Sequence, residues 1–355
     1  DDFLMKVLIT GGWGFLGSQL TKLLLKRGGK IRNREDDLVL ITEIVLFDSK
    51  EPDDDDTRKS LLTNHDNLVI SSRIGDITDA KCCNELIDRD DMCVFHFAGA
   101  MSGACEKDFD LAWRVNVLGT TNLLQACRSR KCGIRVVFAS TIAVFGREKN
   151  SCRDSLLSDS SKLLPTNTYG MTKATCELLI NDMTRKGFID GRVARLPTVI
   201  VRPGLPNAAS TSCFSGIIRE PLAGIDVDIP VRKDLKHAII GLRCCVQGIL
   251  DIHEVPLKVM DKVCAPADRA VNLPSLSATL GEIETAMKDV ASKKIFNLGK
   301  IEYKPDEFLS EIVASMASAT EYSRATALGL ESNPCLREMI SQYLDDFGVA
   351  GSGLL

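Results

Sequence analysis

The chain has 355 residues, 45% of them hydrophobic, and a formal net charge of −4 at neutral pH. That length can hold one large domain and a smaller one, and the hydrophobic content is sufficient for their cores. The acidic balance, without a basic cluster interleaved with aromatic residues, argues against nucleic acid as the main partner. The composition therefore fits a soluble enzyme that acts on a small molecule.

The thirteen cysteines are scattered without a C-x-x-C pair, which predicts reduced thiols. The four histidines do not cluster with cysteines or carboxylates at metal-ligand spacing, so no metal is expected, and His96 is interpreted as structural. The sequence carries no leader pattern and no apolar run near the roughly 18 residues that span a bilayer. These features predict a cytoplasmic protein without a membrane partner.

The clearest motif is a glycine-rich turn between a predicted strand and a predicted helix. Its glycines are Gly11, Gly14 and Gly17. They follow the apolar residues 7–9 and precede an amphipathic helix predicted over residues 18–27. The first glycine permits a tight turn, the second lets the backbone approach a pyrophosphate, and the third allows close packing of helix on strand. This spacing is typical of dinucleotide sites, although an ordinary strand-to-helix turn can also produce it.

A second predicted strand, residues 43–47, ends in Asp48, where an acidic side chain can bind both hydroxyls of the adenosine ribose. Asp48 would also repel a 2′-phosphate, which favours NAD over NADP, although Lys50 could soften that discrimination. Residues 28–37 are interpreted as a polar surface insertion that delays this strand. The alternative is an aspartate that merely ends a strand in a turn.

Strand and helix patterns alternate along the first half of the chain. Further strands are predicted over residues 68–71, 94–98, 136–140 and 192–196, and later helices over 238–254, 280–290 and 304–317. This alternation predicts an α/β fold with a Rossmann-type, doubly wound parallel sheet. We expect an NAD-binding domain over residues 1–203, to which residues 236–263 return, and a smaller α/β substrate-binding domain over 204–355. The acidic residues 51–56 are predicted to form a solvated loop.

Catalytic chemistry is indicated by Tyr169 and Lys173, which are four residues apart in a predicted helix and therefore share one face. An ammonium group there can lower the pKa of the phenol and make it a usable base. Upstream, Ser140 and Thr141 place hydroxyls at the end of a predicted central strand, where open α/β sheets bind their ligands. The alternative is a surface tyrosine beside a surface lysine.

The glycine turn, the strand-end hydroxyl and the Y-x-x-x-K pair together resemble the extended short-chain dehydrogenase/reductase family, the NAD-dependent epimerase/dehydratases. Residues 101–110, 195–204, 206–209 and 215–224 are similar to a branch that oxidises short sugar acids of the D-erythronate type. The likeness runs to about residue 280 and implies NAD as cofactor. In the sugar-nucleotide dehydratases an Asp-Glu pair follows the catalytic threonine, but Ile142 and Ala143 stand here, so elimination lacks its acid.

The resemblance implies that Thr141 binds the substrate oxygen, that Tyr169 is the general base, and that Lys173 holds the nicotinamide ribose. The residues implied to bind the cofactor are Gly11, Gly14, Phe15, Leu16, Gly17, Asp48, Asp76, Ile77, Ala98, Gly99, Asn116, Tyr169, Lys173, Pro197, Thr198 and Val199. Those expected to bind the substrate are Ser102, Thr141, Tyr169, Asn207 and Arg219.

An acidic protein needs a local cation to bind a carboxylate, and Arg219 is predicted to supply it. The alternative for Arg219 is an ion pair with Glu220 or another surface acid. In that case Arg202, Lys233 or Arg243 could bind the carboxylate instead.

The helices predicted over residues 108–130 and 168–186 carry apolar stripes that include Leu118, Leu178 and Leu179. Family members pair such helices into a dimer, which implies a homodimer, whereas ordinary burial against the sheet is the alternative.

The leading hypothesis is an NAD-dependent dehydrogenase that converts the 2-hydroxyl of a short sugar acid into a ketone. A nucleotide-sugar epimerase with tightly bound NAD, or a non-catalytic NAD-sensing protein, are the alternatives.

Overall fold

A mostly parallel sheet forms the centre of the protein. The computed structural model describes residues 4–52, 55–62, 68–146, 156–204, 211–293 and 297–348. The strands are β1 (Leu4–Thr10), β2 (Lys30–Arg32), β3 (Leu38–Asp48), β4 (Val69–Ile74), β5 (Met92–His96), β6 (Arg135–Thr141), β7 (Asp190–Leu196), β8 (Thr198–Ile200), β9 (Val227–Ile229), β10 (Lys236–Gly241), β11 (Ala270–Asn272), β12 (Leu276–Thr279) and β13 (Ile301–Tyr303).

The helices lie on both faces of that sheet and in the part of the chain that follows it. They are α1 (Phe15–Lys26), α2 (Asp55–Leu61), α3 (Ala80–Leu86), α4 (Ser102–Lys107), α5 (Phe109–Ala112), α6 (Gly119–Ser129), α7 (Thr168–Arg185), α8 (Cys213–Leu222), α9 (Leu242–Glu254), α10 (Leu257–Val263), α11 (Leu280–Ser292), α12 (Glu307–Ser315), α13 (Ser323–Ala327) and α14 (Leu336–Phe347). A π-helical segment, Trp113–Leu118, joins α5 to α6, and a short 3₁₀ turn, Ile142–Val144, follows β6.

The central sheet has the parallel order β4, β3, β1, β5, β6, β7, β11, with β2 antiparallel to part of β3. Its strands are apolar on both faces, as Val7, Leu8 and Ile9 of β1 show by their complete burial. The order reverses between β1 and β5, the switch point at which such sheets bind ligands. The predicted Rossmann-type α/β fold is thus confirmed.

Three local predictions were wrong. Part of the insertion at residues 28–37 forms β2, which pairs with β3 in an edge hairpin. Residues 238–241 belong to strand β10, so the helix predicted from 238 starts only at Leu242. Within the acidic stretch, Asp55 begins α2, while residues 53–54 lie outside the described part.

The later part of the chain builds two small sheets. One contains β8, β10 and β12, and the other contains β9 and β13. Apolar residues of α8, α11 and α14 pack together in one core, to which Ile217, Ile283 and Ile340 contribute. None of the helices in the described residues is both long and apolar enough to cross a membrane.

Helix α9 returns to the central sheet and is held there by two buried arginines. Arg192 Nη1 donates to the carbonyl oxygens of Ile252 (2.7 Å) and Val255 (2.6 Å). Arg135 Nη1 donates to the carbonyl oxygen of His253 at 3.1 Å. These donors satisfy the carbonyls at the end of a helix and carry the charge that its dipole favours there. The chain then continues to β11, which adds a strand to the edge of the sheet beside β7.

Candidate active site

A cleft of about 650 Å³ lies along the carboxyl ends of the central strands and faces the smaller part. The predicted site residues that line it are Gly11, Gly14, Phe15, Leu16, Asp48, Asp76, Ile77, Ala98, Gly99, Ser102, Thr141, Tyr169, Lys173, Pro197, Thr198, Val199 and Arg219. Gly17 and Asn116 are not among the lining residues, and Asn207 lies outside the described residues. One cavity therefore brings the predicted cofactor and substrate residues together.

The glycine turn closes the cleft at the end of β1. Gly11 has a φ of 68°, and a Cβ on it would lie 2.8 Å from the backbone nitrogen of Ala98. A Cβ on Gly17 would lie 2.5 Å from the carbonyl oxygen of Gly11, so only glycine lets α1 approach the turn. The N-cap of α1 is Gly14, whose lack of a side chain leaves the first helical N–H groups open to an anion. These features fit the pyrophosphate of a dinucleotide.

Asp48 is fixed at the end of β3 by backbone donors. Its Oδ2 accepts from the N–H of Trp13 at 3.2 Å, and its Oδ1 accepts from the N–H of Ser49 at 2.8 Å. Ser49 Oγ also lies 3.5 Å from Oδ1, and Oδ2 keeps a further lone pair that can accept from a ribose hydroxyl. Asp76 lies on the neighbouring strand end, where its Oδ1 accepts from the N–H of Thr78 at 2.8 Å. Backbone donors therefore fix both carboxylates at this end of the cleft.

Asn116 is buried next to the cleft and bonds to two elements that border it. Its Oδ1 accepts from the N–H of Ala100 at 2.7 Å, and its Nδ2 donates to Thr172 Oγ1 at 3.1 Å. The buried amide thus connects the loop after β5 with α7, beside Lys173. We conclude that Asn116 positions both elements and is not a surface of the cleft itself.

Thr141, Tyr169 and Lys173 line the cleft where β6 ends and α7 begins. Asn167 caps α7 by accepting from the N–H of Gly170 at 2.8 Å. Thr141 Oγ1 accepts from the N–H of Ala143 at 3.1 Å, which holds the hydroxyl at the strand end. Lys173 Nζ, almost fully buried, donates to the carbonyl oxygen of Ala139 at 2.9 Å.

A buried ion pair fixes the register of α7 against the sheet. Arg195 of β7 binds Glu177 of α7 with Nη2 2.8 Å from Oε2, and Ser140 Oγ donates to Oε1 of the same carboxylate. Glu177 lies one turn after Lys173 and two turns after Tyr169. The ion pair therefore helps to fix the helix that carries Tyr169 and Lys173. The Ser140 hydroxyl is engaged by Glu177, which is a structural role.

The spacing of Tyr169 and Lys173 predicted a lowered pKa for the tyrosine, but the structure gives the opposite direction. Burial raises the pKa of Tyr169 to about 12 and lowers the pKa of Lys173. Removing a phenol and an ammonium from water disfavours the charged form of each group. With the groups of this chain alone, the expected lowering of the Tyr169 pKa by Lys173 is therefore not found.

His237 of β10 lines the cleft, although the sequence did not indicate it as a site residue. Pro197, Thr198 and Val199 line the cleft, and Thr198 Oγ1 lies 2.7 Å from Nε2 of His237. His237 also lines the cleft and stacks on Phe214 with 4.8 Å between ring centroids. Burial lowers the pKa of His237 to about 4, so the ring is neutral near pH 7. No local sequence signal marks it, because its contacts come from distant strands.

Arg219, which the sequence predicted to bind the substrate carboxylate, already has an acidic partner in the structure. Arg219 is buried and forms an ion pair with Glu220, the alternative that the sequence left open. Its Nη1 donates to the backbone carbonyl oxygen of Arg202 at 2.8 Å. Lys233 and Arg243 pair with other acids and do not line the cleft. Arg202 lines it together with Arg219.

His96 agrees with its structural interpretation. Its Nδ1 lies 2.6 Å from Thr10 Oγ1 and its Nε2 lies 2.9 Å from Thr120 Oγ1, so both ring nitrogens are hydrogen-bonded. Burial lowers its pKa to about 3. In the described parts of the chain, histidines, cysteines and acidic residues form no group of three that could hold a metal ion.

Comparisons with known proteins show the family of this chain. The model of the "NAD dependent epimerase/dehydratase family" matches residues 7–237. The chain is 38% identical to D-erythronate dehydrogenase of Cupriavidus necator, covering 98% of this chain and all of that protein. It is 35% identical to D-erythronate dehydrogenase of Haemophilus influenzae, covering 96% of this chain and 99% of that protein.

A solved structure shows the same architecture over nearly the whole chain. The crystal structure of a nucleoside-diphosphate-sugar epimerase from Agrobacterium tumefaciens superposes with a TM-score of 0.83 at 31% identity. The match covers 96% of this chain and 94% of that one. The chain therefore belongs to the NAD dependent epimerase/dehydratase family.

Proposed function

We propose that this chain oxidises the 2-hydroxyl of a short sugar acid, D-erythronate or a close analogue, to the 2-keto acid with NAD as the oxidant. The observation that carries the proposal is that Thr141, Tyr169 and Lys173 line the same cleft as Arg202 and Arg219. The relatives named D-erythronate dehydrogenase, similar over nearly their full length, support the same substrate class.

In this proposal the chain binds and orients both reactants. The glycine turn and Asp48 would hold the dinucleotide, which when bound supplies the hydride acceptor. Thr141 donates a hydrogen bond to the substrate hydroxyl oxygen, and Tyr169 accepts its proton as the carbon–oxygen bond becomes a carbonyl. Lys173 binds the ribose hydroxyls and stabilises the phenolate.

A panel of substrates tests the reaction. The protein is incubated with NAD and either four-carbon 2-hydroxy acids or nucleotide sugars, and NADH is followed by its absorbance. We expect net NADH with D-erythronate or a related acid. An epimerase returns the hydride to its own substrate, so isomerised nucleotide sugar without net NADH would replace this proposal. Cofactor binding without any turnover would favour the non-catalytic alternative.

A homodimer is the second part of the proposal. Phe109, Trp113, Leu118 and Leu178 are exposed on the two helical regions that the sequence singled out, whereas Leu179 is partly buried in the core. Large apolar side chains grouped on helices are typical of interfaces between copies of a chain. We expect light scattering to give twice the monomer mass, and we expect Leu178→Glu to give the monomer.

The matched control for that measurement is Phe308→Glu on α12. Phe308 is also an exposed apolar residue, but it lies outside those helices. This variant should keep the dimer mass. A monomeric wild-type protein would contradict the assignment.

A further inference from the structure

The substrate end of the cleft has more positive than negative charge. Two guanidinium groups, those of Arg202 and Arg219, line the cavity there. Glu220 pairs with Arg219, and in the described parts of the chain no carboxylate lies within ion-pair distance of Arg202. The described groups therefore leave one positive charge beside the cleft, which is the requirement for binding a small anion.

The two arginines have different surroundings. Arg219 is 2% exposed, is neutralised by Glu220, and donates to the backbone of Arg202. Arg202 is only partly buried, and its Cζ lies 5.8 Å from the centroid of the Phe15 ring, at the first residue of α1. The backbone N–H of Arg202 donates to Ser215 Oγ of α8 at 3.1 Å. Burial and the charge of Arg219 lower the pKa of Arg202, so a bound anion would relieve an unfavourable charge.

We propose that Arg202 binds the carboxylate of the substrate, and that the buried Arg219–Glu220 pair holds the Arg202 backbone in place. This assignment rests on the proposed function, since it names the residue that selects a sugar acid over a neutral sugar. Arg219 then acts as a positioning residue.

Ligand binding tests the assignment without requiring turnover. The affinities of D-erythronate and of its neutral amide, D-erythronamide, are measured by calorimetry on the NADH-loaded protein. We expect the wild-type protein to prefer the acid by about 10- to 100-fold, the scale of one charge-assisted contact. Arg202→Gln should abolish that preference, leave the amide affinity unchanged, and leave NADH affinity within about twofold of wild type.

Two further variants complete the experiment. Lys233→Gln removes the same charge from an exposed residue outside the cleft, so it should keep the full preference for the acid. Arg219→Lys keeps the charge but changes the support of the Arg202 backbone. It should therefore lower the affinity for D-erythronate, and the preference for the acid over the amide, only in part.

Three results would overturn the assignment: no preference for the acid in the wild-type protein, a preference that survives Arg202→Gln, or a loss of NADH affinity in that variant. The last result would assign Arg202 to the cofactor. If the acid binds as expected but no acid yields NADH, the proposed reaction fails while the carboxylate site stands.

Discussion

Lys173 Nζ lies 5.8 Å from the centroid of the Tyr169 ring, one helical turn along α7. The ammonium group donates to the carbonyl oxygen of Ala139 on the neighbouring strand, so its position is fixed by the sheet as well as by the helix. This geometry places a buried positive charge beside a partly buried phenol.

Tyr169→Phe should lower kcat by about 100-fold or more, because the phenol supplies the general base. NAD affinity should be nearly unchanged, since the ring remains and only the hydroxyl is lost. Initial rates of NADH formation and a fluorescence titration with NAD measure the two quantities. Tyr322→Phe, whose hydroxyl is outside the cleft, is the control. Retention of more than about a tenth of kcat would exclude Tyr169 as the base.

Lys173→Met should change both the pH profile and cofactor binding. Because the base must lose its proton, and burial raises the pKa of Tyr169, kcat/KM should rise with pH through the alkaline range. In the proposed mechanism the Lys173 ammonium stabilises the phenolate of the NAD-bound protein, so its loss should move the rise to higher pH. NAD affinity should fall because the ribose loses a donor. An unchanged profile together with unchanged affinity would contradict the pairing.

Asp48→Ala should reduce the preference for NAD over NADP by about tenfold or more, because it removes the ribose acceptor and the repulsion of a 2′-phosphate. The ratio of kcat/KM for the two cofactors measures this effect. Asp76→Ala is the matched control, since it removes an acidic side chain near the end of the next strand. It should lower kcat/KM for NAD and for NADP by the same factor. If the ratio is unchanged in Asp48→Ala, another residue recognises the ribose.

Asp190→Asn should destabilise the protein by about 3 kcal/mol near neutral pH, because Arg135 and Arg192 stay buried and lose their common partner. Burial by itself raises the pKa of Asp190, but the charges of the two arginines outweigh it and hold the pKa at about 2. The folded pKa is below the unfolded one, so this stabilisation is present above about pH 4 and is lost as pH falls toward 2.

Urea denaturation at neutral and acidic pH checks this prediction, and the difference between wild type and Asp190→Asn should shrink at acidic pH. The control is Asp182→Asn, which breaks an Asp–Arg pair on the exposed face of α7 and should have little effect at either pH. Equal effects of the two substitutions would show that burial of the pair is unimportant.

Local patterns in the sequence were sufficient to predict several elements that line the cleft. The spacing of Gly11, Gly14 and Gly17 predicted the turn after β1, and an apolar run ending in Asp48 predicted the end of β3. The four-residue spacing of Tyr169 and Lys173 predicted their shared helix α7. Such features depend on neighbours in sequence, because helical periodicity and glycine conformations act over a few residues.

The tertiary structure decided which distant groups become partners. The three residues of β11 carry too short a pattern to predict a strand, and the sheet edge at β7 provides their hydrogen bonds. The sequence alone did not determine whether the Arg219 guanidinium binds a substrate carboxylate or Glu220, because its partner depends on side-chain direction and burial. Likewise, His237 enters the cleft only because β10 pairs with β8. Pairing and burial join residues far apart in the chain, so local sequence patterns carry no information about them.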